Sequence, residues 1–196
     1  MTRGEPARRQ PNRKGQGGRL RGEIEQAAWK LLDEVGSPEA LTLRGVARAA
    51  GITGPAIYPH FPGLADLHAR LREIAFAHIA EQSDAAVADI TDPRTELITR
   101  YRVYVDLGQA HPARRKLVLT PANAADPHAA AALDTLVEVL DRCVAAGLSH
   151  STDTRLDTAL TLAAITGLRE MHGVFPLPPL HTAIEELVVR LARLTG

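Results

Sequence analysis

Apolar residues recur every three or four positions along most of this 196-residue chain, and that spacing constrains its fold more than any other feature. The first clear run has the period of an amphipathic helix and consists of Leu20, Ile24, Ala27, Ala28, Leu31, Leu32 and Val35. No segment alternates apolar and polar residues as a half-buried strand does, and no internal repeat occurs. Aromatic residues make up only 4% and alanine is abundant, which favours closely packed helices. The sequence therefore predicts an all-α protein of about nine helices.

Capping and breaking residues predict where the helices begin and end. Gly36 and Pro38 end the first helix, while Asp92-Pro93 and Asp126-Pro127 each combine an acidic N-cap with a proline in the first turn. Thr182 and Glu185 have capping-box spacing at the start of the last helix. Besides two short helices between residues 42 and 61, the predicted helices cover residues 20–35, 63–82, 93–110, 112–120, 127–147, 153–172 and 181–194.

The sequence contains no recognisable catalytic, metal or cofactor site. The lone Cys143 permits neither an intrachain disulfide nor a multi-cysteine metal site, and the eight histidines lack the spacing of zinc ligands. Neither a Gly-rich phosphate loop nor a Gly-x-Ser-x-Gly elbow is present. No apolar run approaches the roughly 18 residues of a membrane span, and the charged N-terminus lacks the pattern of a signal peptide. We therefore expect no cofactor, no catalytic residue, no membrane partner and a cytoplasmic location.

Formal charges cancel over the whole chain, with 23 basic and 23 acidic side chains, but they are unevenly distributed. Residues 1–21 contain seven basic side chains and one acidic side chain, whereas residues 22–82 contain five basic and eight acidic ones. Residues 1–19 are rich in Arg, Gly, Gln and Pro, a composition that predicts a disordered basic arm. The folded region after the arm is expected to be acidic on balance.

Two short helices joined by a tight turn are predicted between residues 42 and 61, with the dimensions of a helix-turn-helix unit. Thr42 opens the first of them, Gly51 turns the chain, and Thr53 opens the second with Pro55 in its first turn. Side chains suited to contacting a DNA backbone cluster here: Thr42, Thr53, Tyr58 and His60. The spacing alone fits either a DNA-binding unit or an ordinary helical corner.

Particular residues in these helices carry a family resemblance. They are Ala27-Ala28, Leu31-Leu32 and Gly36 in the first helix, Thr42, Arg44, Val46-Ala47 and Ala50-Gly51 in the second, and Ile57-Tyr58-Pro59-His60-Phe61 in the third. With them, residues 20–82 resemble the DNA-binding domain of the TetR (tetracycline-repressor-like) family of transcriptional regulators. The resemblance implies a helix-turn-helix domain over residues 20–66 and a helical domain for ligand binding and dimerisation over residues 67–196.

The same resemblance implies roles for individual residues. Arg44 falls at a base-reading position, where its guanidinium could bind guanine O6 and N7. The positions implied to contact the DNA backbone are Thr42, Thr53, Tyr58 and His60, and those at the helix tip facing base edges are Gly54, Pro55 and Ala56. Leu64 and Pro59 depart from the family pattern, because many members have a phosphate-binding Lys and a larger or basic residue there. Since both changes remove phosphate contacts, we expect the basic arm to supply much of the affinity, with Arg19 and Arg21 nearest the duplex.

We expect a homodimeric, ligand-responsive repressor that binds a palindromic operator and is released by a small molecule of unknown identity. The alternative is a helical interaction module or an all-α enzyme without a recognisable motif that binds no operator. Tyr101 and Tyr104 are candidate effector-binding residues, although both could belong to the core. Apolar stripes on the last two helices predict a dimer interface at Leu156, Leu160, Ala163, Gly167, Ile184, Leu187 and Leu191, unless both stripes lie inside one subunit.

Overall fold

The computed structural model describes residues 17–120, 126–172, 174, 176 and 178–195. Within these ranges the chain forms nine α-helices and a 3₁₀ turn, Pro38–Ala40. The helices are α1 (Gly17–Val35), α2 (Leu43–Ala49), α3 (Gly54–Ile57), α4 (Leu64–Val87), α5 (Pro93–Ala110), α6 (Pro112–Leu119), α7 (Pro127–Ala145), α8 (Thr154–Met171) and α9 (Leu180–Leu191). The described residues form no strand beyond an isolated bridge between Ser149 and Leu194. The prediction of an all-α fold is confirmed, and no helix in these ranges has the length and apolar character needed to span a membrane.

Three helices begin where a predicted capping residue binds their first turn. Thr42 Oγ1 accepts a hydrogen bond from Gly45 N at 3.0 Å at the start of α2. The carboxylates of Asp92 and Asp126 accept from backbone N–H groups in the first turns of α5 and α7. Each of these bonds satisfies an N–H that the helix itself leaves unpaired. These short-range signals are sufficient to fix the starts of the three helices.

Several boundaries differ from the sequence-based prediction. Helix α1 begins at Gly17 instead of Leu20, so Arg19 belongs to the helix and not to an arm. Helix α3 ends at Ile57, before Pro59 could end it. Thr182 does not cap α9, because that helix starts at Leu180 directly after Pro179 and Thr182 already lies in its first turn. Residues 1–16 of the predicted basic arm lie outside the described residues.

The chain divides into two units by internal contacts. The N-terminal unit comprises Met1–Arg72 and Pro112–Thr120, and the C-terminal unit comprises Glu73–His111 and Pro121–Gly196. The boundary therefore falls within α4, and α6 belongs to the N-terminal unit. The sequence-based division placed the boundary at residue 66 and assigned α6 to the regulatory domain.

Apolar side chains of five helices form the core of the N-terminal unit. Its fully buried members are Ile24, Ala28, Leu32, Leu41, Val46, Ala47, Ile57, Phe61, Leu67, Leu71, Ala113 and Leu117. Outside this core, Arg114 forms an ion pair with Asp33 at 2.6 Å and stacks its guanidinium over Trp29, 4.9 Å from the ring centre. Arg72 donates to the carbonyl of Leu117 at 2.8 Å. These contacts hold α6 against α1 and the first part of α4.

The C-terminal unit packs α5, α7, α8 and α9 around a core that includes Leu97, Tyr101, Leu140, Ile165 and Val188. This unit also contains a group of buried side chains with polar atoms: Tyr101, Ser149, Ser151, Asp157, Thr158 and Thr161. Ser151 Oγ donates to Asp157 at 2.7 Å, and Thr161 Oγ1 donates to the Asp157 carbonyl at 2.7 Å. The N-terminal half of α8 therefore buries a polar face.

Candidate nucleic-acid interface

Helices α2 and α3 and the turn between them form the predicted helix-turn-helix. Gly51 has a φ of 69°, a left-handed conformation that glycine adopts without a side-chain clash. The backbone N–H of Ile52 donates to the carbonyl of Ala47 at 2.9 Å, which closes the turn. Ile57 and Phe61 are each only 1% exposed, so the core fixes the C-terminal end of α3 and the segment that follows it. The exposed side of the helix-turn-helix is therefore held in a defined position.

The predicted backbone-contacting residues lie on the surface of this element. Thr42, Thr53 and Tyr58 are exposed, and His60 is partly exposed. Tyr58 is 49% exposed, although Ile57 before it and Phe61 three residues after it are both buried. Thr53 stands at the N-cap of α3 without a capping hydrogen bond from its side chain, so its hydroxyl is available to an external acceptor. These side chains have the chemistry and the exposure that phosphate contacts require.

The tip of α3 consists of Gly54, Pro55 and Ala56, none of which carries a polar side-chain atom. A Cβ atom added to Gly54 would meet no other atom within 4 Å. Neither steric crowding within the described residues nor a left-handed φ therefore requires glycine at this position. A missing side chain on an exposed helix tip allows a close backbone approach by a partner surface.

Arg19 and Arg21 lie in the first turns of α1. Arg19 pairs with Glu23 at 3.1 Å, and Arg21 pairs with Glu25 at 3.3 Å. The guanidinium of Arg21 also lies over the ring of Phe61, 5.1 Å from its centre. Phe61 follows α3 by a few residues, so this cation–π contact places Arg21 beside the end of the predicted recognition helix.

Arg44 and Arg48 lie on the exposed face of α2. The sequence pattern marks Arg44 alone as a candidate for reading bases. Arg48 stands four residues later, one helical turn along, and is equally exposed. A search of the sequence for a second arginine one helical turn from Arg44 would have identified Arg48.

The charge of the folded N-terminal unit differs from that of residues 22–82, which the sequence analysis counted as acidic. Its described ranges, 17–72 and 112–120, contain ten basic and six acidic side chains. Helix α6 adds Arg114, Arg115 and Lys116, whereas Glu73 and Glu81 fall in the other unit. The C-terminal unit has eight basic and sixteen acidic residues in its sequence. The folded N-terminal unit is therefore cationic, as a nucleic-acid interface requires.

The candidate effector residues lie inside the C-terminal unit. Tyr101 is 1% exposed, and burial raises the pKa of its phenol far above the ordinary value. Its hydroxyl lies near those of Thr158 and Thr161. Neither Tyr101 Oη nor Thr158 Oγ1 makes a hydrogen bond of good geometry with a described residue. Tyr104 is partly buried and packs against the same core.

The candidate dimer residues divide into two groups. Leu156 and Leu160 are 53% and 48% exposed, and Ala163 and Gly167 share their exposed face of α8. On α9, Ile184 is only 1% exposed, because this helix packs its apolar face against α5 and α8 of its own unit. Leu187 packs against the same core, and Leu191 is partly buried. The second apolar stripe of α8, Leu162, Ile165 and Leu168, faces that core as well.

Comparisons with known proteins agree with this geometry. Residues 24–71 match the family model described as bacterial regulatory proteins of the tetR family. A protein of unknown function from Rhodococcus sp. RHA1 has a TM-score of 0.75 at 22% identity, over 93% of this chain and 98% of that one. PfmR, a TetR family transcriptional regulator from Thermus thermophilus, has a TM-score of 0.63 at 19% identity, over 88% and 98%. A tetR-family regulatory protein from Rhodococcus RHA1 has a TM-score of 0.64 at 20% identity, over 90% and 98%.

No curated protein sequence matches the chain. The structural neighbours are too distant in sequence to establish more than a shared all-α fold. The family model is specific to the segment that contains α2, the turn and α3. The match therefore assigns residues 24–71, and no more of the chain, to the tetR family of bacterial regulatory proteins.

Proposed function

We propose that this regulator binds a palindromic operator as a homodimer, represses transcription there, and is released by a small molecule. One observation carries the operator-binding part of the proposal. The exposed face of the helix-turn-helix presents hydroxyls, a phenol and arginines on a folded unit with ten basic and six acidic side chains. Hydroxyls and arginines are the groups that most often contact phosphates and base edges in DNA.

In the proposed complex, Arg44 reads a guanine through its O6 and N7 atoms. The apolar tip of α3 approaches the bases closely and contacts thymine methyl groups, because it has no hydrogen-bonding side chain of its own. Thr42, Thr53, Tyr58 and His60 bind the backbone on either side. Sequence preference then depends mainly on Arg44.

A mobility-shift assay with DNA adjoining the protein's own gene tests this model. Arg44→Ala should lose about 1 to 3 kcal/mol of discrimination between that DNA and a random duplex while it folds normally. Lys30→Ala is a suitable control, because Lys30 is an exposed cation on α1, outside α2, the turn and α3. Wild-type protein that binds both duplexes equally would contradict operator recognition.

The basic residues of segment 1–16 and of the first turns of α1 are proposed to add non-specific affinity. Seven basic side chains in residues 1–21 can neutralise phosphates and release counterions. Deleting residues 1–18 should therefore weaken the dependence of operator affinity on salt concentration. An unchanged dependence would show that the folded unit makes the phosphate contacts by itself.

The exposed face of α8 is proposed as the dimer interface. A Cβ added to Gly167 would meet no atom within 4 Å, yet glycine inside a helix costs about 1 kcal/mol relative to alanine. Close approach of a second helix explains a glycine at this position, and Leu156 and Leu160 supply apolar surface beside it. Gly167→Leu should lower the association constant measured by light scattering. A wild-type chain that is monomeric at micromolar concentration would contradict the proposal.

The effector is proposed to bind within the C-terminal unit and to hydrogen-bond with Tyr101. The unpaired hydroxyls of Tyr101 and Thr158 support this, because buried polar groups normally have partners. The effector must bind one conformation better than the other to shift the protein between them. Helix α4 contributes residues to both units and is the candidate connection. Compounds that release bound DNA from wild-type protein should lose this effect on Tyr101→Phe.

A further inference from the structure

The basic side chains of the N-terminal unit differ in whether the protein itself neutralises them. Seven of the ten in its described ranges have a partner within the chain: Arg19, Arg21, Arg70, Arg72, Arg114, Arg115 and Lys116. Their partners include the carboxylates of Glu23, Glu25 and Asp33. Three have no partner among the described residues: Lys30, Arg44 and Arg48.

Two of these three cations lie on one face of one short helix. Arg44 and Arg48 are four residues apart on α2, which places them one turn, about 6 Å, apart along the axis. Val46 and Ala47 point into the core from the same helix, so both arginines lie on the exposed side. Like charges at this spacing repel one another, and no carboxylate of the described residues offsets the repulsion.

A local role accounts for part of this arrangement. Arg48 stands in the last turn of α2, where a cation interacts favourably with the negative end of the helix dipole. That interaction would favour a cation at position 48 in any protein with this helix. It does not remove the repulsion between Arg48 and Arg44, which an external anion bound by Arg48 would reduce.

We infer that Arg48 binds a backbone phosphate of the operator, on the strand that borders the groove read by Arg44. The inference rests on the proposed operator binding and adds a contact that neither the resemblance nor the sequence pattern includes. A guanidinium suits this role, because its planar donors bind phosphate oxygens in pairs. The contact carries no base information, so Arg48 adds affinity and fixes register while Arg44 provides the sequence preference.

Fluorescence anisotropy with the full chain over a series of KCl concentrations tests this inference. Two duplexes of equal length are used, one from the DNA adjoining the gene and one of random sequence. Arg48→Gln should weaken binding to both by the same factor and reduce the salt slope of log K by about 0.9. Arg48→Lys keeps the charge and should restore the slope. Lys30→Gln removes an equally exposed and unpaired cation from α1 and should change neither value.

The outcomes separate this inference from the proposed function. A wild-type slope for Arg48→Gln, an equal loss for Lys30→Gln, or a loss confined to one duplex would overturn the phosphate contact while operator binding stands. Failure of the wild-type protein to bind either duplex would overturn both. A thermal unfolding curve for each variant identifies any change that arises from the helix dipole, because Arg48→Lys retains that interaction and Arg48→Gln does not.

Discussion

The two units bury different kinds of side chain. In the described part of the N-terminal unit, Arg72 is the only buried polar side chain, and it donates to the carbonyl of Leu117. The described part of the C-terminal unit buries seven: Ser83, Glu96, Ser149, Ser151, Asp157, Thr158 and Thr161. The buried polar side chains of the C-terminal unit need hydrogen-bond partners within the protein, a requirement that apolar packing does not impose.

This difference corresponds to the different tasks proposed for the two units. Apolar packing around Val46, Ile57 and Phe61 holds α2 and α3 in fixed positions, as a surface that must match DNA requires. The hydroxyls of Tyr101 and Thr158 make no hydrogen bond of good geometry with a described residue, and a buried donor without a partner costs about 1 to 3 kcal/mol. A site that must accept a ligand gains from such groups. The following variants test the comparison, from the largest expected effect to the smallest.

Breaking an ion pair should cost far more in the C-terminal unit than in the N-terminal unit. Glu96 is buried and lies 3.0 Å from Arg100 Nε and 2.7 Å from Arg142 Nη2. Glu96→Ala leaves the largely buried Arg100 paired with Asp84 alone and should lower the free energy of unfolding by about 2 kcal/mol. Asp33→Ala breaks the more exposed pair with Arg114 and should cost less than about 1 kcal/mol. Equal losses in urea denaturation would contradict the comparison.

Removing the unpaired hydroxyls should stabilise the protein. Tyr101→Phe and Thr158→Val each delete a buried donor without changing the shape of the core, and each should raise the free energy of unfolding by about 1 kcal/mol. Thr161→Val is the control, because its hydroxyl already donates to the Asp157 carbonyl and its removal should bring no gain. Destabilisation by Tyr101→Phe would mean that its hydroxyl is satisfied in solution.

The close packing of the N-terminal unit can be tested at two glycines. A Cβ on Gly45 would lie 3.0 Å from Thr42 Oγ1 and 3.3 Å from Leu31 Cδ2, so Gly45→Ala disturbs the cap of α2. Loss of that cap costs about 1 kcal/mol and offsets the higher helix propensity of alanine, which leaves a net loss below about 1 kcal/mol. Gly54→Ala meets no atom and should not destabilise the fold, although we expect it to weaken operator binding. A higher free energy of unfolding for Gly45→Ala would show that the Thr42 side chain moves away from the added methyl group without loss of stability.

The smallest expected effect concerns His68, a partly buried exception in the N-terminal unit. Burial holds the pKa of this imidazole below its ordinary value of 6.5, against smaller opposing effects of a hydrogen bond at Pro38 and of Glu39. A histidine whose folded-state pKa is lowered contributes stability above its ordinary pKa, and this stability is lost as the pH falls below that value. The difference in unfolding free energy between the wild type and His68→Gln should therefore shift in favour of the variant below pH 6.5. A constant difference would exclude a role for this group in acid sensitivity.

Helix starts could be predicted from sequence because they depend on neighbouring residues. Thr42, Asp92 and Asp126 each bond an N–H within three positions, and all three helices begin where these residues stand. The same reasoning failed at Thr182, where the prolines just before α9 determine its start. The exposure of Tyr58 between two buried side chains follows from the pattern of the helix-turn-helix. The roles of the named interface residues remain predictions.

Contacts between distant parts of the chain could not be predicted in this way. Asp33 and Arg114 are 81 positions apart, and no local pattern pairs them. The positive charge of the N-terminal unit could not be predicted for the same reason, because three cations of α6 join the unit from outside the segment that resembles the family. Arg21 over Phe61 is a further contact that depends on the folded arrangement of α1 and the segment after α3.

The membership of α6 in the N-terminal unit also limits how this protein can exchange parts with related proteins. Residues 1–72 alone lack Ala113 and Leu117, two buried members of that unit's core, and leave Arg72 without its carbonyl acceptor. A chimera that takes only residues 1–72 from this protein would therefore contain an incomplete N-terminal unit. Recombination between related genes, or grafting in the laboratory, needs two further junctions, so that residues 112–120 are transferred together with residues 1–72.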